Sequence, residues 1–151
     1  MEKVSEHITY SEATKSQQAE RLGISNNPSS EQLEAMKLVA NNVFEVVRNH
    51  FNVPIGISSF FRNTGVNAMI GGSRNSQHCT GEAMDIDADI FGGVTNKQIF
   101  DYIRKNLVFD QLIWEFGDDN NPAWVHVSLK KNGNRKQVLK AKTVQGKTIY
   151  K

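Results

Sequence analysis

Residues 76–87 of the chain read SQHCTGEAMDID, and our interpretation of the fold starts from this stretch. His78 and Asp85 lie seven residues apart, with Gly81 between them. Neither a helix nor a single strand explains this spacing. A turn at Thr80 and Gly81 followed by a strand would instead bring the imidazole and the carboxylate to one point. The alternation of EAMDIDA predicts that strand.

A second imidazole follows on another predicted strand. The run WVHVSL at 124–129 alternates as a strand does and contains His126, and QLIWEF at 111–116 predicts a neighbouring strand. Two histidines and one carboxylate form a common zinc site whose fourth position is left to water. On spacing alone, a surface histidine and a capping aspartate are the simpler interpretation.

The first half of the chain predicts helices. The polar stretch 11–23 predicts a short first helix that ends at Gly23 in a left-handed cap. Ser29 and Gln32 have the spacing of a capping box and open the longest helix, and a second box opens a helix at 95–107. The apolar residues of the longest helix recur at steps of three and four: Leu33, Met36, Val39, Ala40, Val43 and Val47.

Strands dominate the second half of the chain. FNVPIGISSFF at 51–61 predicts a strand that leads into a loop. Asn132-Gly133 is a hairpin signal, which predicts that the following residues RKQVL return beside the WVHVSL strand. We therefore expect an α+β fold, a single domain over residues 1–151 with N-terminal helices packed on a small, mainly antiparallel sheet.

Composition excludes several classes of protein. The chain has 151 residues, 38% hydrophobic and 23% charged, and its 18 basic and 16 acidic residues give a net charge of +2, which argues against a general nucleic-acid binder. The single cysteine, Cys79, excludes an internal disulfide framework. No acidic residue follows Asp119, so the last fifth is basic. A solvated lysine-rich surface is the favoured interpretation, and weak attraction to an anionic polymer is the alternative.

The N-terminus has no apolar run of signal-peptide length, and nowhere do 18 apolar residues follow one another. We therefore expect a protein made in the cytoplasm, without a membrane span. Any target outside the cell would be reached by another route, such as lysis or assembly into a larger particle.

The run ISSFFRNTGVNAMIGGSRNSQHCTGEAMDI at 57–86 closely resembles the zinc peptidases that cut D-amino-acid peptides of the bacterial cell wall. These are the D-Ala-D-Ala carboxypeptidases and phage-type murein peptidases of the M15 family, with a fold shared with the hedgehog domain. The resemblance covers most of residues 7–130. The matching residues are Ser58, Ser59, Arg62, Asn67, Gly71, Gly72, Ser76, His78, Gly81, Asp85, Trp124, His126 and Ser128.

The resemblance implies that His78, Asp85 and His126 bind one zinc ion. Many members place a general base three residues before the last zinc histidine, but Ala123 stands there in this chain. Glu115, at the end of the preceding strand, is the best replacement.

Several neighbouring residues are open to more than one interpretation. Asp118 and Asp119 compete with Glu115 as the base, although FGDDNNP also reads as a solvated turn. Asp87, on the same strand face as Asp85, would either orient a ligand histidine or be an ordinary polar position.

The resemblance also implies residues that contact the substrate. Arg62 would stabilise negative charge on a substrate carbonyl or carboxylate, and a structural ion pair is its alternative. Ser76 would contact the peptide or only cap a turn, and Trp124 would form a wall of the cleft or part of the core.

The function implied is zinc-dependent hydrolysis of a peptide bond in peptidoglycan stem peptides, by a monomer that acts on the cell wall, in the manner of a carboxypeptidase or of a phage endolysin. The alternative is a non-catalytic, zinc-containing module that binds the wall or a partner, suggested by Ala123 and the basic C-terminus. Nucleic-acid binding is the least favoured because stacking aromatic residues are scarce there.

Overall fold

Helices precede most of the strands, and the computed structural model describes residues 2–73 and 75–151. The helices are α1 (Tyr10–Ala13), α2 (Gln17–Leu22), α3 (Ser30–Val39), α4 (Glu45–Phe51), α5 (Thr64–Met69) and α6 (Asn96–Asn106), with a π-helical turn at Ala40–Phe44 and a 3-10 turn at Ala88–Ile90. The strands are β1 (Lys3–Ser5), β2 (Ile8–Thr9), β3 (Gly56–Ser59), β4 (Ala83–Asp87), β5 (Gln111–Glu115), β6 (Trp124–Ser128), β7 (Gln137–Val144) and β8 (Lys147–Tyr150).

The predicted first helix is two short helices. The Ser16 side chain accepts a hydrogen bond from the backbone N–H of Ala19, so a new N-terminus forms there and separates α1 from α2. Gly23 ends α2 with φ of 66°, which confirms the predicted left-handed cap.

The longest helix begins at the predicted capping box of Ser29 and Gln32. It continues from α3 through the π-helical turn into α4 and ends at Asn52, a left-handed cap with φ of 53°. The strand predicted from residue 51 is therefore wrong at its start, because the first residue of that run still belongs to α4. Only Gly56–Ser59 form the strand.

Six strands form the main sheet in the order β3-β4-β6-β5-β7-β8. All neighbours are antiparallel except β5 and β7, which are parallel. The predicted hairpin at Asn132-Gly133 is wrong: β4 and β5 already occupy both edges of β6, so β7 pairs with the free edge of β5 instead.

The two faces of the sheet have different roles. One face carries Met84 and Ile86 of β4 and Val125 and Val127 of β6, which belong to one hydrophobic cluster with residues of α3, α4 and α6. Side chains alternate along a strand, so the residues between these apolar ones lie on the opposite face. This arrangement confirms the α+β class and leaves one sheet face for polar groups.

Among the described residues, no helix is both long enough and apolar enough to cross a membrane.

Candidate metal centre in a cleft

A cleft of about 1070 Å³ opens on the polar face of the sheet. It is lined by the alternate residues of the strands that face away from the core, together with the loop before β4 and residues after β6. The strand residues that line the cleft are Asp85, Gln111, Ile113, Glu115, Trp124, His126, Gln137, Leu139, Thr148 and Tyr150.

Three side chains predicted to bind a metal meet in this cleft. Asp85 of β4 pairs with His126 of β6 in the sheet register, and its Oδ1 lies 3.0 Å from His126 Nδ1. The loop before β4 brings His78 Nε2 to 3.3 Å from the same oxygen. One ligand atom from each residue lies within 4.8 Å of the others. The strand pairing, rather than proximity in sequence, assembles the group.

The protein fixes the orientation of His78. Its Nδ1–H donates to the backbone carbonyl of Phe60 at 2.6 Å, which directs Nε2 at Asp85 and, in the neutral imidazole, leaves Nε2 as the free ligand atom. The Ser76 hydroxyl accepts from the His78 backbone N–H and caps the turn. Gly81 completes this turn with φ of 83°, and a Cβ there would lie 2.4 Å from the backbone oxygen of Gln32 on α3. Only glycine fits this close contact.

Asp85 is a carboxylate at neutral pH. Burial alone would raise its pKa, but the charges and hydrogen bonds of His78 and His126 outweigh burial and hold the pKa well below the usual range. The carboxylate is therefore available as an anionic ligand in a buried position.

The group fits a zinc ion. Two histidine nitrogens and a carboxylate oxygen match the ligand types of an open zinc site. Ligands at about 2.0–2.1 Å in a tetrahedron lie roughly 3.3 Å apart. The two observed separations of 3.3 and 3.0 Å are close to that spacing. The three side chains could therefore close around one ion with little movement.

Glu115 lies in the same cleft at the end of β5, beside Trp124 of β6. Burial raises its pKa to about 7, the charge of Asp85 adds to this increase, and His126 and Arg62 oppose it. A carboxyl group with a pKa near neutrality can both accept and donate a proton. Its backbone carbonyl accepts from the N–H of Ala123, so Glu115 and Ala123 are adjacent in space although they lie eight positions apart in the sequence.

The competing acidic residues lie elsewhere. Asp118 accepts hydrogen bonds from the backbone of Asn120 and Asn121 in a turn, and Asp119 is exposed and pairs with Lys140. Neither lines the cleft. The Asp87 carboxylate accepts from the side chain of Asn96 and caps the 3-10 turn, so among the described residues its side-chain partner is Asn96 and not a histidine.

Arg62, Ser76 and Trp124, the residues predicted to contact substrate, all line the cleft. Arg62 Nε is buried and has no hydrogen-bond partner within residues 2–73 and 75–151, so a structural ion pair through this atom is not observed. Trp124 packs against Phe116 with ring centroids 5.5 Å apart and forms part of the wall. The Ser76 hydroxyl caps the turn described above, and its contact with substrate stays a prediction.

The sequence pattern of the peptidase M15 family matches residues 6–128. The chain belongs to the peptidase M15 family. This match confirms the resemblance inferred from the motifs and makes the protein a peptidase, that is, a hydrolase of the metallopeptidase type. Its histidine and aspartate cluster supplies side chains that could hold the metal of an M15 peptidase. No curated protein sequence matches the chain significantly.

The sequence did not predict two residues of the cleft, Arg135 and Tyr150, that lie beyond residue 128, where the family match ends. Arg135 lines the cleft, and its guanidinium donates two bonds to the fully buried carboxylate of Asp110, which accepts a third from Gln77. Tyr150 lies at the other side of the cleft. The basic C-terminal block gave no signal for either Arg135 or Tyr150, because this segment reaches the cleft only through the pairing of β7 with β5.

Proposed function

We propose that this M15 peptidase is a zinc-dependent enzyme that hydrolyses a peptide bond in bacterial peptidoglycan stem peptides. The observation that supports the proposal is that His78, Asp85 and His126 meet in one open cleft with Glu115, whose pKa is raised to about 7. Zinc in this cluster would be a Lewis acid that polarises the scissile carbonyl and acidifies a water molecule.

The side chains of the chain supply the remaining chemistry. Glu115 accepts the proton of the attacking water and then donates it to the nitrogen of the leaving amine, so that the peptide bond breaks to a carboxylate and an amine. The Phe60 carbonyl keeps His78 in the tautomer whose Nε2 is free to act as a ligand. Arg62 offers a permanently charged group to a substrate carbonyl or carboxylate.

Digestion of purified peptidoglycan tests this proposal. The zinc-loaded protein is expected to release new amino groups, whereas the chelator-treated protein and the Glu115→Ala variant release none above background. Equal release in all three samples would contradict zinc-dependent hydrolysis. Retention on the wall in all three samples without release would instead identify a non-catalytic, wall-binding module.

The bond that is cut decides between two forms of the activity. A carboxypeptidase releases terminal D-Ala, and an endopeptidase cuts within the stem or the cross-link. Mass spectrometry of the soluble muropeptides distinguishes them. We further propose that the protein meets its substrate at the cell wall after release from the cytoplasm, as in phage-mediated lysis.

A further inference from the structure

The hairpin of β7 and β8 begins at Gln137, beyond residue 128 where the family match ends, yet it forms one side of the cleft. Four of its side chains line the cleft: Gln137, Leu139, Thr148 and Tyr150. This part of the chain therefore contributes to the site from outside the region that defines the family.

The sheet register places Tyr150 in line with Glu115. Trp124 pairs with Glu115, Glu115 pairs with Ala141, and Ala141 pairs with Tyr150. Paired residues on adjacent strands direct their side chains to the same face of a sheet. Tyr150 therefore shares the cleft face with Glu115, two strands away, or roughly 10 Å at about 4.8 Å per strand spacing.

Ala141 lies between Glu115 and Tyr150 in the sheet and leaves space for contact between their side chains. Ala141 is fully buried and carries only a methyl group, so no long side chain separates the phenol from the carboxyl group. Burial raises the pKa of Tyr150, and the negative charges of Glu115 and Asp85 raise it further. The hydroxyl group therefore remains protonated at neutral pH and is a hydrogen-bond donor. The residue as a whole is 53% exposed, as expected for a side chain at the rim of an open cleft.

We propose that Tyr150 is a substrate-binding residue, whose phenol O–H donates a hydrogen bond to a backbone carbonyl of the peptide on the Glu115 side of the cleft. This role rests on the proposed peptidase function. Arg62 and Tyr150 would then hold the peptide from opposite sides, because Arg62 follows the β3 edge of the sheet and Tyr150 ends the β8 edge.

Steady-state kinetics of the zinc-loaded full chain tests the proposal, with a synthetic stem pentapeptide ending in D-Ala-D-Ala as the probe. One neutral hydrogen bond to the substrate corresponds to a change in KM of about 3- to 10-fold. Tyr150→Phe is expected to raise KM by this factor and to leave kcat within about twofold, since the bond is present in both the bound substrate and the transition state. An unchanged KM in Tyr150→Phe would overturn the role of the hydroxyl, even if Tyr150→Ala were impaired.

Tyr10→Phe is the matched control. The Tyr10 hydroxyl donates to Asn27 at 3.2 Å and does not line the cleft, so its loss removes the same group from a remote position. The control is expected to keep the KM of the unmodified chain. An equal rise of KM in both variants would contradict a specific role for Tyr150.

Calorimetric binding of the same peptide separates this inference from the peptidase function. In the Glu115→Gln background, addition of Tyr150→Phe is expected to weaken peptide binding about 3- to 10-fold. If the unmodified chain hydrolyses nothing but this difference appears, the proposed function fails and the Tyr150 contact stands. If hydrolysis occurs and the difference is absent, or if the peptide does not bind, the Tyr150 proposal is wrong.

Discussion

The cleft cluster of His78, Asp85 and His126 and a second cluster of Glu6, His7 and Glu45 each bring three metal-ligand atoms within 4.8 Å of one another. In the second cluster, which we call the N-terminal cluster, the Glu45 carboxylate already accepts hydrogen bonds from protein groups. Glu45 accepts from the Ser5 hydroxyl at 2.6 Å, from the His7 backbone N–H at 2.8 Å and from His7 Nδ1 at 2.6 Å.

The cleft cluster uses its hydrogen-bonding capacity differently. His78 Nδ1 donates to the Phe60 carbonyl, whereas His78 Nε2 and the Asp85 carboxylate face the open cleft. None of the residues of the N-terminal cluster lines that cleft. Proximity alone therefore does not make a metal site. The ligand atoms must also have no partners other than one another, in a space that an ion and a substrate can enter.

Loss of a cleft ligand is expected to have the largest effect. His126→Ala should lower peptidase activity to that of the chelated protein and remove zinc-induced stabilisation, which at a thousandfold excess over Kd is worth about 4 kcal/mol. His7→Ala should retain both. Thermal unfolding with and without zinc, together with the bound zinc per chain, measures the difference. Zinc binding that depends on His7 would reverse the assignment of the two clusters.

Removal of the base is expected to be next in size. Glu115→Gln should lower kcat by about 10²- to 10⁴-fold, the usual contribution of a positioned proton acceptor, and should leave zinc binding intact. Glu45→Gln, the same change in the N-terminal cluster, should leave kcat unchanged. Release of amines from peptidoglycan checks both variants. Full activity in Glu115→Gln would exclude this residue as the base.

The free energy of unfolding should depend on the N-terminal cluster, unlike the peptidase activity. Glu45→Gln removes a buried carboxylate that binds three donors, so it should lower the free energy of unfolding by about 2 kcal/mol. Glu34→Gln is a suitable control, since Glu34 is exposed and lies 3.8 Å from Lys37, and its loss should cost less than about 0.5 kcal/mol. Urea unfolding of the metal-free protein measures both changes. Equal costs would show that the N-terminal cluster does not hold the fold together.

The smallest effect concerns pH. Burial raises the pKa of Glu115 to about 7, so the folded state binds this proton more tightly than the unfolded state does. Ionisation of Glu115 therefore costs stability as pH rises from about 5 to about 7. In metal-free protein, the free energy of unfolding of Glu115→Gln should therefore increase relative to that of the unmodified chain over this pH range.

For Glu45 the sign is reversed. Burial raises its pKa, but bonds from His7 and Ser5 and the charge of His7 outweigh burial and keep it lowered. Its stabilisation is present above the unfolded pKa and is lost as pH falls through the acid range. The cost of Glu45→Gln should therefore shrink on acidification. A cost that does not change with pH would contradict the lowered pKa.

The motifs of the chain predicted much of the fold and of the candidate site. Capping boxes and the left-handed glycine located helix ends because these signals act within a few residues. Alternation predicted β4, β5 and β6, and with them the face that carries Asp85, Glu115 and His126. The sequence also placed the chain in the peptidase M15 family, whose pattern matches residues 6–128.

Tertiary structure alone decided which strands became neighbours. The local turn signal at Asn132-Gly133 favoured a hairpin beside β6, but both edges of β6 were already filled, and the backbone N–H groups of Lys136 and Gln137 bond to Phe109 and Asp110 instead. That pairing placed β7 beside β5 and brought Tyr150 into line with Glu115. Sequence signals report the conformation of a few adjacent residues, whereas strand order depends on competition for hydrogen-bonding edges across the whole sheet.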